Sequence, residues 1–479
     1  MLTELFPKLK ENIVIKYINK FLYSKFYIAL IALCTLLCNI FGFEIIYYYP
    51  LVLVSVIFPC FFSEDMLPMV APLGMTYASV SIKSNGNYVT GHSLFDGSSK
   101  INLFILFGLA IGFTLARVMY NFIKRKDLTR RMPSLLFGYI GMGLAFILAG
   151  LFSIYYEAKH ILYPVVVFLS LSFCYFILLF VIDWKKTEKS YFAWVMTFYG
   201  LVISCEVIYI VISIKMGNTI FISNLGQIFT GWGMRNNIAG QISLCVAAPI
   251  YLAIKSKKPL IYLWMPLFMI VSCFLVNSRG GALTSCLIFV IAIIIYFVKV
   301  DKIARIKGIA MLGAATLAGI VLFVVKFNAI KELLSRFFAS IGESDMYVIT
   351  QGRNETWMHG MSNFFENTLF GVGFYQCKDY IFYNFTTGFV PARYHNIYIQ
   401  FLASTGLFGI AAYFYHRAQT LFITFKKPSL EKTFIYFTVL ALVISSLTDN
   451  HFFNIGPGLN YCMALAFIEG MNILEEKAV

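Results

Sequence analysis

The chain has 479 residues, 59% of them hydrophobic and 13% charged, with a formal net charge of +15. A soluble domain carries roughly 25% charged residues, so this composition excludes an ordinary water-soluble globule. Apolar runs of about 20 residues, long enough to cross a ~30 Å hydrocarbon core as helices, recur along the chain. The ~10-residue alternation of a transmembrane barrel does not, so the fold expected is all-α and polytopic.

In chain order, residues 1–25 are polar and basic and no small-residue cleavage site follows. They are expected to stay as a cytoplasmic N-terminal segment rather than to be removed as a signal peptide. Candidate spans follow at about 26–43, 45–62, 65–82, 101–123, 135–155, 161–182, 191–214, 238–254, 260–277, 281–298, 308–327, 395–415, 433–449 and 457–474. This is a count of about 12–14 transmembrane helices in one domain, 26–474. The 65–82 stretch is the weakest span because Pro68 and Pro72 interrupt it. One large external loop, 328–394, separates two spans, and a loop of that length is usually functional.

The positive charge is not placed for nucleic acid. Lys124, Arg125, Lys126, Arg130 and Arg131 form one short cluster, with others at Lys185–Lys189, Lys255–Lys258, Lys299–Lys307 and Arg417–Lys432. Each lies between apolar runs, the pattern of cytoplasmic loops. With the N-terminus inside and 65–82 counted as a span, all of them fall inside; without it, Lys124–Arg131 would fall outside. Arg117, near the inner end of its span, is expected to snorkel. Glu206 lies within a span, where a carboxylate is costly and often functional. The ten cysteines lie almost entirely in apolar runs with no metal-type spacing, so neither a disulfide framework nor a zinc site is expected.

Four polar constellations remain on the outer face. The first is Arg235-Asn-Asn-Ile-Ala, at the entry to a span. The second is Asn277-Ser-Arg-Gly-Gly281, with Arg279 in a tight turn. The third is Gly352-Arg-Asn-Glu-Thr-Trp357, with Arg353 and Trp357 one helical turn apart. The fourth is Arg393-Tyr-His-Asn396, where the loop re-enters the membrane. A guanidinium is always charged and grips phosphate through paired hydrogen bonds; an interfacial arginine also simply snorkels. Four of them outside, against the charge bias, favour the functional reading. His395 has a suitable unperturbed pKa, roughly 6.5, for taking a proton from a sugar hydroxyl, against the plainer reading of a helix cap; Asn396 would orient it or bind sugar. The last outside turn holds Asp449, Asn450 and His451.

The order and spacing of these motifs, with Leu369-Phe-Gly-Val-Gly373 and His395-Asn-Ile-Tyr-Ile-Gln-Phe-Leu-Ala-Ser-Thr-Gly406, resemble the O-antigen ligase and Wzy-type polymerase superfamily over roughly 230–415. The sequence departs from that pattern at Asn236-Asn237, where many relatives have a proline between two asparagines. The resemblance implies a metal-independent glycosyltransferase without a cofactor, in the bacterial inner membrane with its site facing the periplasm or exterior. Its donor would be an undecaprenyl-diphosphate-linked oligosaccharide. Arg279 and His395 would be catalytic; Arg235, Arg353, Arg393, Asn396 and Trp357 would bind substrate. Other expected partners are membrane lipids and a chain-length regulator protein, but no nucleic acid. Length and span number favour a polymerase of surface polysaccharide repeat units, O-antigen or capsule. The alternatives are a ligase moving finished glycan to lipid A-core or protein, and a lipid-linked oligosaccharide flippase, which would bury charges at mid-membrane.

Overall fold

A computed structural model of the chain describes residues 11–41, 48–76, 82–84, 87–89, 98–125, 132–152, 172–217, 228–325, 327, 331, 352–374 and 394–475. Its helices follow the apolar runs, because helices satisfy every backbone donor and acceptor away from water. The first, α1 (Ile13–Leu22), starts at Asn12, whose side chain accepts from the Val14 N–H, and meets α2 (Lys25–Phe41) at a 65° bend. Next come α3 (Tyr48–Val52), a π turn over Leu53–Ile57, α4 (Phe58–Phe62) and α5 (Val70–Gly74). The middle of the chain forms α6 (Ser98–Lys124), α7 (Leu136–Leu151), α8 (Ser172–Val181) and α9 (Tyr191–Lys215). After them come α10 (Arg235–Cys245), α11 (Ala247–Lys255), α12 (Leu260–Leu275), α13 (Arg279–Lys299) and α14 (Lys302–Val325). The last four are α15 (Arg353–Glu366), α16 (Ile397–Phe425), α17 (Leu430–Ser445) and α18 (Ile455–Glu475). Two strand pairs of two or three residues accompany them.

The chain is therefore an all-α polytopic membrane protein. Among the described residues five helices are long and apolar enough to span a bilayer, or six if α1 and α2 make one bent span. Shorter apolar helices stand at Pro50–Phe62, α7, α8 and α12. In the middle runs α18, buried from Gly456 to Met471.

Two expectations are corrected. Residues 65–82 do not form one span: Leu67–Met69 is a 3-10 turn and α5 has only five residues, about 7.5 Å of helix. Pro68 and Pro72 remove backbone donors there, and the segment is buried against α18 instead of facing lipid. Asn460 donates to the Gly74 carbonyl at 3.3 Å, and a Cβ on Gly74 would lie 2.7 Å from Met463. Residues 77–81 lie outside the described part. Nor does Arg117 snorkel. It is buried, and donates to the Cys60 carbonyl at 3.1 Å and to that of Glu64, closing open carbonyls at the end of α4.

Polar groups sort to the two ends of the bundle. At one end Lys255 pairs with Glu431 at 2.9 Å, Lys186 with Glu64, Arg125 with Asp183 at 2.9 Å, and Lys432 with Glu475 at 2.8 Å. Asp65 accepts from the Asp183 N–H at 2.8 Å, tying two of these pairs together. Arg235 opens the 21-residue rod that Lys255 closes, so it stands about 30 Å away at the other end.

That other end is locked by glycines. Gly406 interrupts α16 with φ 62° and ψ −161°, freeing the carbonyls of the preceding turn. Val372 N–H donates to Ala403 O at 2.9 Å and Gly373 N–H to Ser404 O at 3.1 Å. In return Leu407 N–H donates to Thr368 O at 2.8 Å and Phe408 N–H to Leu369 O at 3.1 Å. A Cβ on Gly371 or Gly406 would sit 2.4 Å from the opposing backbone, and both have positive φ. Replacing either with Ala is expected to cost about 1–3 kcal/mol and to lower the thermal unfolding temperature in detergent. Gly313→Ala, in open space, leaves it unchanged or raises it.

Candidate active site

The turn that precedes Arg235 is held by a carboxylate from a neighbouring span. Glu206, on α9, accepts from the Gly231 N–H at 2.7 Å and from the Asn39 side-chain amide at 3.2 Å. This fixes the small β-turn Phe229–Met234 that feeds α10. Gly231 has no room for a side chain because a Cβ would meet the Asn39 amide at 2.3 Å. Trp232 packs edge-on to Tyr199, and Gln241 donates to its carbonyl at 3.1 Å. Glu206 therefore positions the arginine's turn and lies beneath the site.

The asparagines after Arg235 bind it to two other elements. Asn236 accepts from the Ser278 hydroxyl at 3.1 Å, and Asn237 accepts from the Asn454 side chain at 2.7 Å. Here the departure from the proline-containing pattern supplies polar ties between α10, the Arg279 turn and the start of α18. Asn277 opens that turn with φ 57°, a left-handed conformation that asparagine tolerates. Gly281 then lets α13 approach α10, since a Cβ there would lie 2.3 Å from Ala239. A Cβ on Gly280 would meet the Thr448 hydroxyl at 2.3 Å, so the same turn rests on the segment before Asp449.

Arg353 opens α15, which lies on the start of α16. Asn363 donates to the Tyr394 hydroxyl at 2.7 Å, and a Cβ on Gly360 would meet Ile399 and Tyr394. Trp357 is half-buried one turn along, with an indole N–H that has no hydrogen-bond partner.

His395 stands just before α16 with φ 50°, and its Nδ1 lies 3.0 Å from Asp449 Oδ1. Positive φ is uncommon outside glycine; His395 and Asn277 are the non-glycine cases among the described residues, and both lie at this end. Asn396, not His395, caps α16: its side-chain oxygen accepts from the Tyr398 and Ile399 N–H groups at 2.9 and 3.2 Å, while its amide donates to Leu447 O at 3.2 Å. The cap explains Asn396 without a ligand. Arg393 lies outside the described residues.

The three described arginines converge. Arg235 lies within electrostatic reach of Arg353 and Arg279, and Arg353 within reach of Asp449 and Arg279. Burial pulls the Arg353 guanidinium below its usual value; Asp449 opposes this and Arg279 adds to it. Asp449 is the residue whose role the sequence left unread. Burial pushes its carboxyl up, but the His395 hydrogen bond, the charges of His451 and His395, and the Asn450 N–H at 2.7 Å together hold it well below the ordinary carboxylate range. In sequence Asp449 is 54 residues from His395, with no spacing rule linking them.

Residues 264–414 match a family model described as O-antigen ligase. That region, about a third of the chain, is similar to the O-antigen ligase family. That match holds Arg279, Arg353, Trp357, Arg393, His395 and Asn396, together with the Gly371–Gly406 lock; Arg235 and Asp449 stand outside it and reach the site through the fold. No curated protein sequence matches the chain.

A carboxyl held below its unfolded value adds stability above that value, roughly pH 4, and loses it as pH falls through the folded one. The stability gap between the wild type and Asp449→Asn in detergent is therefore expected to hold or widen from pH 7 to pH 5 and to narrow only below about pH 4. A gap that closes between pH 7 and pH 5 contradicts this.

Proposed function

We propose that this chain is a glycosyltransferase of the O-antigen ligase family that polymerises undecaprenyl-diphosphate-linked repeat units of a surface polysaccharide. The observation that carries the reading is the convergence of Arg235, Arg279 and Arg353 on the His395–Asp449 pair, at the end of the bundle opposite the lysine-rich loops. Lysine-rich loops favour the cytoplasmic side, which supports a site at the outer face of the inner membrane. No nucleotide donor is required there, because a lipid diphosphate is already an activated leaving group.

The chemistry follows from the geometry. An Nδ1–H of His395 donating to Asp449 leaves Nε2 as the proton acceptor. The acceptor sugar's hydroxyl loses its proton to Nε2 and its oxygen attacks the anomeric carbon. The bond from that carbon to the phosphate oxygen breaks, and the lipid diphosphate leaves with the electron pair. Arginines held in place before the reaction stabilise the charge that develops on the diphosphate. Nothing in this scheme calls for a metal. Trp357, half-buried one turn from Arg353, would offer part of its ring face to a sugar. A chain-length regulator would be a separate partner protein.

The second reading is a ligase, favoured by the description of the matching family model. It uses the same donor and differs in acceptor. A flippase gains less support: the buried charges Arg117 and Glu206 are fixed by backbone groups, which suits holding helices together. Arg279→Ala and His395→Ala, each in the native host, are expected to reduce glycan transfer by at least about 10²-fold. Surface glycan resolved by size then separates the readings. Single repeat units on the final acceptor support the polymerase, and full-length chains trapped on the carrier lipid support the ligase. Normal glycan in both variants overturns the proposal.

A further inference from the structure

Arg417 belongs to the basic cluster that the sequence places in a cytoplasmic loop, yet it lies inside α16. It stands eight residues before the helix ends at Phe425, about 12 Å from that end. Lys426 and Lys427 follow directly, and Tyr436, across from it on α17, is one turn from Lys432. This is the lysine-rich end of the bundle, remote from Arg279. Phe414, Tyr415 and Leu421 around it on α16 are exposed, and Arg417 itself is half-buried beside that lipid-facing surface.

Among the described residues Arg417 donates to two tyrosine hydroxyls, Tyr461 and Tyr436, each at 3.4 Å, and to no carboxylate. A cation at this depth without a counter-charge is costly. Every other cation described above has a carboxylate or backbone carbonyls, or belongs to the site at the opposite end. Around Arg417 there is a third hydroxyl: Tyr413 lies within electrostatic reach, and its hydroxyl is buried with no hydrogen-bond partner. The Tyr461 hydroxyl is shared with His416 Nε2 at 2.9 Å. Tyr436 and Tyr413 therefore remain as O–H donors, beside guanidinium N–H groups not used on tyrosine. Planar guanidinium donors flanked by hydroxyls match the oxygens of a phosphate monoester or diester.

We propose that Arg417, Tyr436 and Tyr413 form a second phosphate site, for the headgroup of an anionic lipid in the cytoplasmic leaflet. The phosphate comes either from bulk phospholipid or from a polyprenyl phosphate. In both cases it is drawn slightly below the interface, with its chains along the exposed face of α16.

The test is thermal unfolding of the purified full chain in a zwitterionic detergent. It is titrated separately with dioleoylphosphatidylglycerol and with a polyprenyl monophosphate. At least one lipid is expected to give a saturable upward shift whose half-saturation rises tenfold or more in Arg417→Met and survives in Arg279→Gln. A shift with the first lipid assigns the site to bulk phospholipid, and one with the second assigns it to the carrier lipid. A titration of Arg417→Met that matches the wild type with both lipids overturns the proposal. If Arg417→Met does not fold, the Tyr413→Phe, Tyr436→Phe double variant decides: a half-saturation raised at least threefold supports the site, and an unchanged one overturns it.

Discussion

Three guanidinium groups held close together repel one another, and this like-charge constraint governs the end of the bundle where they meet. Burial and the charge of Arg279 both disfavour the charged form of Arg353, and the buried carboxylate nearby, Asp449, is already engaged by His395. Such an arrangement persists only if the surrounding structure holds it rigidly. Its excess positive charge is then compensated when an anion arrives. The proposed lipid diphosphate would bring that charge to the depth where α10 and α13 begin.

The rigidity has identifiable sources, and most are polar or steric details instead of apolar burial. Glu206 holds the turn ahead of Arg235; Asn236 and Asn237 tie that arginine to Ser278 and Asn454. Gly281 brings α13 against α10, and Gly371 with Gly406 fastens the Arg353 segment to the break in α16. The charged groups of the candidate site come from four separate places in the chain, so a shift in any of these ties moves one charge relative to the others. In the proposed mechanism Asp449 is a positioning residue, acting on substrate through His395.

The helices were legible because lipid demands long apolar runs, and the runs match α9 and α13 closely, whereas α14 starts before its expected span and α16 extends well past its own. The 65–82 stretch misled because apolar residues buried inside a protein look like apolar residues facing lipid; the two prolines were the warning. Arg279, Arg353 and His395 were readable from their turns and from their position against the charge bias. What was not readable rests on contacts between distant residues. Nothing local links Asp449 to His395, or Gly371 to Gly406, and the cap that occupies Asn396 depends on the backbone of α16. Arg117 and Arg417 looked like loop-side charges because a sequence shows how far a residue is from a span's end but not what surrounds it.

The central claim is that the three arginines act as one anion site. It is tested most directly by the affinity of the purified chain for a polyprenyl diphosphate carrying no glycan, measured for the wild type and for Arg235→Gln, Arg279→Gln and Arg353→Gln. Each variant is expected to bind about tenfold or more weakly, with pairwise combinations that fail to add because the groups share one ligand. Wild-type affinity in all three, or losses that add as independent sites do, would contradict the account.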